Sequence, residues 1–238
     1  VRIKYITLQN LLGNYKKAYE SIMSHTFRPW EGAEGKITTQ YKIALLEMAK
    51  ECIDVKEYGQ AKDYLEKALR YPENLGEGRL EGTKDNHIYY YLGICNKALG
   101  KEQEAHGYFE RASLGDIEPA GVMYYYDQPA DMILYQGLAK RELGKEKVAR
   151  SRFFKLLDYG EQHLNDEMRI EYFAVSLPDF LIFEDDLNRK NKAHCWYLMG
   201  LASLGLGELQ KAEGFFDKAL SYDANHQNAR MYRKMTLK

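Results

Sequence analysis

Three cysteines, five prolines and two tryptophans are all that 238 residues contain, and no apolar run is long enough to cross a bilayer. Cys52, Cys95 and Cys195 are odd in number and far apart. That spacing argues against a disulfide framework and for small buried thiols in a reducing compartment, the cytoplasm. The net charge is −1, so no global field draws the chain to nucleic acid or to an anionic membrane. Neither an Asn-x-Ser/Thr acceptor nor a secretory apolar segment near the start is present. The chain opens Val1-Arg2-Ile3 without a methionine and reads as a piece of a longer polypeptide.

What is present is enough apolar material for a continuous core, 45% of residues, arranged in repeats. The clearest unit is HCWYLMGLASLGLGELQKAEGFFDKALSYDANH, 194–226, with Trp196, Gly200, Gly207, Ala212, Phe216 and Ala219 at key positions. Small residues at Gly200 and Ala212 let two antiparallel helices approach, Trp196 and Phe216 fill the space beside them, and Gly207 supplies the positive φ that ends the first helix. The same skeleton recurs as Tyr89, Gly93, Gly100, Ala105, Phe109, Ala112, and again as Ile133, Gly137, Gly144, Ala149, Phe153, Leu156. A further copy reads Leu45, Ala49, Tyr58, Ala61, Leu65, Ala68, with Lys56 where the turn glycine belongs. The first copy keeps Gly13, Tyr15, Ala18 and Ile22, its leading helix cut short at Val1.

This pattern resembles the tetratricopeptide repeat along the whole chain. The expected fold is all-α, a right-handed solenoid of five helix pairs forming one repeat domain over 1–238. The equivalent alanines are 43, 44, 44 and 63 residues apart, against about 34 for a plain repeat. Each step therefore carries an insert between one pair and the next, placed at 26–40, 71–86, 114–130 and 158–190. All five prolines fall inside these inserts, as expected of a residue excluded from helix interiors.

The inserts hold 18 acidic and 7 basic residues, so a nearly neutral chain has strongly segregated charge. An acidic, aromatic loop edge disfavours phosphate backbones and suits cations, basic peptides or neutral polyols; acids also collect in loops simply because loops are solvated. Catalytic and metal-binding patterns are missing. GAEGKIT at 32–38 lacks the spacing of a phosphate loop, and DDLNRKN at 185–191 lacks the turn glycine and closing glutamate of a calcium loop. The six histidines form no zinc pattern. His194 and Cys195 are adjacent, but neighbours on a helix point about 100° apart, a poor start for a nucleophile and its base. No catalytic residue, metal or cofactor is assigned, and the chain is read as a non-enzyme.

The ligand- or partner-binding candidates are Trp30, Glu31, Glu34, Asn74, Glu77, Tyr125, Asp127, Gln128 and Asp131. Aromatic rings offer stacking faces, and the acids and amides accept or donate hydrogen bonds. Asn86 and Asp131 also suit helix caps. Trp30 is expected to anchor the first insert against the second near ENLGEG, with glycines 32, 35, 76 and 78 allowing close approach.

The phrases HTFRPWEGAEGK, YPENLGEG, MYYYDQPADMILYQGLA, DYGEQHL and YFAVSLPDFLIFEDDLNRKN together resemble the C-terminal repeat region of large bacterial proteins. Those proteins carry an N-terminal β-rich domain of unknown function. The resemblance implies an intracellular multidomain protein with sugars as one class of ligand. Two readings follow: a scaffold docking its own N-terminal domain or a peptide partner, or an accessory domain whose loop edge helps bind a saccharide. Neither involves nucleic acid or a membrane.

Overall fold

The structure is a computed structural model that describes residues 1–28, 34–121, 128–168 and 186–237. Among the described residues it contains eleven α-helices and no strand. They fall into two compact units, 1–112 and 113–238.

The first unit holds three antiparallel pairs: α1 (Arg2–Leu11) with α2 (Tyr15–Met23), α3 (Lys36–Asp54) with α4 (Tyr58–Ala68), and α5 (Asn86–Ala98) with α6 (Glu102–Ala112). Consecutive pairs pack in order, α3 on α2 and α5 on α4. The second unit holds α7 (Asp131–Glu142) with α8 (Glu146–His163), α9 (Leu187–Leu206) with α10 (Leu209–Tyr222), and a closing helix α11 (Gln227–Met235).

One local design makes all five pairs. The first helix ends on a residue at positive φ: Gly13, Gly100, Gly144 and Gly207 at 82°, 74°, 72° and 82°, and Lys56 at 64°. The following N–H then reaches back five residues to a carbonyl of the last turn: Asn14 to Gln9, Glu57 to Cys52, Lys101 to Asn96, Lys145 to Lys140 and Glu208 to Ser203, all at 2.8–2.9 Å. This closure satisfies carbonyls the helix cannot satisfy itself and turns the chain straight into the second helix.

In the last three pairs packing rests on a ring laid on a glycine, where the first two have Ile6 with Ile22 and Ala49 with Leu65. A Cβ on Gly93 would lie 2.5 Å from the ring of Phe109, and one on Gly200 would lie 2.5 Å from Phe216. Phe153 is enclosed twice, by Gly137 of its own pair and by Gly205 of α9, each leaving 2.3 Å for a Cβ. The alanines expected at the interface, Ala61, Ala105, Ala149, Ala212 and Ala219, are buried to 1% exposure or less.

The structure corrects several boundaries. Helix α3 begins at Lys36 and α8 continues to His163, so the first and fourth inserts are shorter than the pattern implied. The helix α11 follows the fifth pair, where no element was expected. Neither Asn86 nor Asp131 caps the N-terminus of its own helix by its side chain. Asn86 donates its amide to the Ala112 carbonyl at 2.8 Å, and Asp131 accepts the Tyr232 hydroxyl at 3.0 Å. Both are already helical, with Asp85 and Ala130 at the N-cap positions. Of the three tyrosines heading α5, Tyr91 is buried and Tyr89 and Tyr90 are half-buried, because successive residues cannot share one helix face.

Two substitutions test the repeated design. Lys56→Gly should stabilise the chain by about 0.5–1 kcal/mol, since an L-residue at that φ is strained. Gly137→Ala should cost about 2–3 kcal/mol by forcing Phe153 out of its slot. Urea unfolding of both variants reads the two signs directly.

Candidate functional site

The first two inserts are tied together at both ends. Entering the first insert, the Phe27 N–H donates to the Asn74 carbonyl at 2.7 Å, and the Asn74 amide donates to Ile22 O at 2.9 Å and His25 O at 2.7 Å. Those carbonyls close the last turn of α2, so Asn74 acts as a C-terminal cap delivered from another insert. Leaving the first insert, the N-cap of α3 is Gly35, which has no side chain to cap with. Glu77 supplies it: Oε2 accepts the Gly35 N–H at 2.9 Å and lies 3.5 Å from the Thr38 hydroxyl. A carboxylate at that helix N-terminus is also favoured by the helix dipole. Asn74 sits in a short 3₁₀ turn, Glu73–Leu75, anchored by the fully buried Leu75.

Beyond Glu77 the second insert is held by charge. The Asp85 carboxylate is fully buried at the start of α5. It accepts Arg79 Nη2 at 2.9 Å and Nε at 3.1 Å, and Lys42 Nζ of α3 at 3.1 Å. Burial pulls the Lys42 ammonium down, but the adjacent Asp85 and Tyr71 more than offset it and leave its pKa raised. Between Arg79 and Asp85 the chain makes a turn in which the Thr83 N–H and hydroxyl both donate to the Leu80 carbonyl, at 3.3 and 2.7 Å. Leu80 projects from this turn with 74% of its surface exposed, flanked by exposed Arg79 and Glu81.

The candidates named from sequence therefore divide. Asn74 and Glu77 lie on this edge and direct their polar atoms inward, where they join the inserts. Glu34 lies beside Gly35 and is exposed. Gln128 and Asp131 belong to the second unit. Gln128 is paired edge-on with the Asp116 main chain, accepting from its N–H at 2.9 Å and donating to its carbonyl at 2.6 Å, while Gln136 donates to that same carbonyl at 2.9 Å. Asp131 meets Tyr232 of α11, whose ring also packs on Tyr135, Tyr197 and Phe216. Trp30, Glu31, Tyr125 and Asp127 lie outside the described residues, as does the expected Trp30 anchor. Sequence reasoning passed over Lys42, Arg79, Leu80 and Asp85. The one available signal was a lone leucine in the polar, glycine-flanked stretch GEGRLEGT.

The adjacent His194 and Cys195 are held in unreactive forms. Burial pushes the imidazole down to about 4 and the thiol up to about 12, leaving a neutral ring and a protonated sulfur at neutral pH. The His194 ring nitrogen Nε2 lies 3.0 Å from the Ala120 carbonyl, which ties the third insert to α9.

Residues 193–226, from within α9 to just past α10, match the model of the tetratricopeptide repeat. Similar solved structures include that of MamA, 18% identical with a TM-score of 0.28, covering 91% of this chain and 92% of that one. Another is YrrB, described as a tetratricopeptide repeat protein with an unusual peptide-binding site, 17% identical with a TM-score of 0.31 over 98% and 90% of the two chains. A tetratricopeptide repeat protein from Parabacteroides merdae is 15% identical with a TM-score of 0.30 over 100% and 83%.

Asn74→Ala should remove the side-chain donor from the His25 carbonyl and one of the donors from Ile22 O, which keeps the His25 N–H, and cost about 1 kcal/mol. Its signature is faster hydrogen exchange at Phe27 with unchanged protection in α5. His194 makes a separate prediction from its lowered pKa. Its neutral form is favoured by folding, so its contribution is complete above the ordinary value of about 6.5 and is lost as pH falls toward 4. Measured by urea unfolding, the loss of unfolding free energy over that window should be smaller in His194→Gln by up to about 3 kcal/mol; His87 and His226, whose pKa values burial also lowers, supply the remainder.

Proposed function

We propose that this chain is a non-catalytic protein-interaction scaffold of the cytoplasm. Its helix pairs hold the two-insert edge of the first unit in one shape, and another domain of the same polypeptide, or a peptide segment of a partner, docks there. The observation that carries this reading is Leu80. A large apolar side chain stands in solvent on a turn that the ion pair of Arg79 with the buried Asp85 carboxylate and two hydrogen bonds keep in place. Such a residue gains nothing for the isolated fold, whereas burying it in a partner's pocket removes apolar area from water at no ordering cost to the turn. Arg79 beside it keeps guanidinium surface exposed for a partner's carboxylate or carbonyl groups. The three thiols are free, in keeping with a reducing compartment, and among the described residues no helix is long and apolar enough to cross a membrane.

The saccharide reading has less behind it. Asn74 and Glu77 hydrogen bond inward to helix ends, and Gln128 and Asp131 are bonded within the second unit. A sugar platform needs those groups directed at a ligand.

The test is titration of the chain with the separately expressed remainder of its own polypeptide. One-to-one association is expected, weakened at least tenfold by Leu80→Asp with the circular dichroism unchanged. Absence of association contradicts docking of the chain's own remainder, and an affinity indifferent to Leu80→Asp contradicts the Leu80 edge as the docking surface.

A further inference from the structure

In the second unit one helix departs from the pattern of its repeat on the outward side. Counting five positions on from the interface alanines Ala61, Ala105, Ala149 and Ala212 gives Glu66 in α4, Glu110 in α6, Phe154 in α8 and Asp217 in α10. The short α2 ends on Met23 at that position. Each of the three acids meets a base: Glu66 meets Lys62, Glu110 meets His106 and Asp217 meets Arg233. Helix α8 keeps the base of the pattern and drops the acid. Arg150 stands where α4 has Lys62 and α6 has His106, and its guanidinium carbon lies 5.5 Å from the centroid of the Phe154 ring. That ring is 40% exposed.

The other repeats supply the comparison. A glutamate at 154 would pair with Arg150 as Glu66 pairs with Lys62, and no phenyl ring would stand in water. The inner side of α8 is already anchored by the buried Ala149, Phe153, Leu156 and Gly160, so the ring at 154 is an addition to that packing. The exchange of an acid for a phenyl ring leaves the guanidinium charge of Arg150 without a carboxylate and holds the ring beside it through a cation–π contact.

Charge identifies the occupant. Residues 140–155 hold seven bases and two acids, Glu142 and Glu146. Arg141 is paired with Glu146, and Lys155 with Glu118. Lys145, Lys147 and Arg150 are exposed, and among the described residues no carboxylate lies within ion-pair distance of them. Lys147, Arg150 and Phe154 follow at three- and four-residue steps and share one helix face. One turn further on, the exposed Asp158 and Glu161 end the basic stretch. A nucleic acid would carry its phosphates on into those acids, whereas a short acidic segment meets the bases alone.

We propose that the face of α8 around Phe154 is a second docking site, which takes a short acidic segment of a partner protein carrying one large apolar side chain. Lys147 and Arg150 meet its carboxylates, and the Phe154 ring meets its apolar side chain. The site does not require the Leu80 edge to be functional, since it lies in the other unit and on its own helix.

The probe is a labelled heptapeptide of alternating glutamate and aspartate with one phenylalanine at its centre; its counterpart has alanine there. Fluorescence anisotropy against the full 238-residue chain at low salt should show the phenylalanine peptide binding and the alanine peptide binding about fivefold more weakly. Phe154→Gln, which leaves the charge alone, should weaken the phenylalanine peptide about fivefold and make the two peptides alike. The double variant Lys147→Gln, Arg150→Gln should weaken both peptides about tenfold and flatten their salt dependence. Leu80→Asp should leave both affinities unchanged. The three side chains at 147, 150 and 154 are exposed, so the variants should fold, which circular dichroism checks; urea midpoints within error of the parent are expected for Phe154→Gln. The proposal is overturned if the phenylalanine peptide fails to bind, if it binds Phe154→Gln as tightly as the parent, or if the two peptides bind the parent alike. It is equally overturned if a thymidine oligonucleotide of the same charge binds more tightly than the peptide and loses that affinity in the double variant, which would make a nucleic acid the occupant.

Discussion

The close approach of two antiparallel helices is the constraint on which the structure depends, and in three of the five pairs it is set by a phenyl ring resting on a glycine. At Gly93, Gly137 and Gly200 there is no room for even a Cβ beside Phe109, Phe153 and Phe216. The ring fills the gap that the missing side chain leaves, so the pair is both close and densely packed. The turn that joins the two helices is the other half of the constraint, because it fixes where the second helix starts relative to the first. Five copies of that turn share one hydrogen-bond pattern, and the copy with lysine in the glycine position follows it too. Local closure and pairwise packing agree, which makes the repeats structurally alike despite unequal spacing.

These rigid pairs leave the inserts as the place where one repeat can differ from another. In the first unit two inserts are joined by exchanging caps: Asn74 closes the end of α2, and Glu77 opens α3. The N-cap of α3 is a glycine with no side chain of its own, and the second insert supplies a carboxylate there, while at the end of α2 Asn74 adds to the bond that Ser24 makes to the Ser21 carbonyl. The Asp85 carboxylate then ties the same insert to α3 through Lys42. An edge built this way costs little extra ordering when a partner arrives, because the turn that carries Leu80 is already in place.

The helix pairs were legible in the sequence because their constraints are local. A glycine four residues after a large residue, a second glycine at the turn and alanines at fixed offsets each have one physical meaning, and Gly200, Gly207 and Ala212 lie where that meaning puts them. The site was only partly legible. Asn74 and Glu77 stood out as polar residues in a glycine-rich loop, and they do lie at the junction of the inserts. Sequence could not show that their bonds run to Ile22, His25 and Gly35, since those partners are 42–52 residues away. Asp85 and Arg79 looked like ordinary loop charges, and only the fold brings Lys42 to them. Helix α11 was passed over because its polar residues mask a short buried stripe of Ala229, Met231 and Tyr232.

The central claim is that the described ends of the first insert are tied to the second insert by hydrogen bonds. Native-state hydrogen exchange of the unmodified chain tests it most directly. The account predicts that the amides of Phe27, Gly35, Leu75 and Gly76 are protected and exchange through one shared opening with a common free energy. Phe27 and Gly35 exchanging at the rate of an unstructured peptide, while α2 to α5 stay protected, would contradict it.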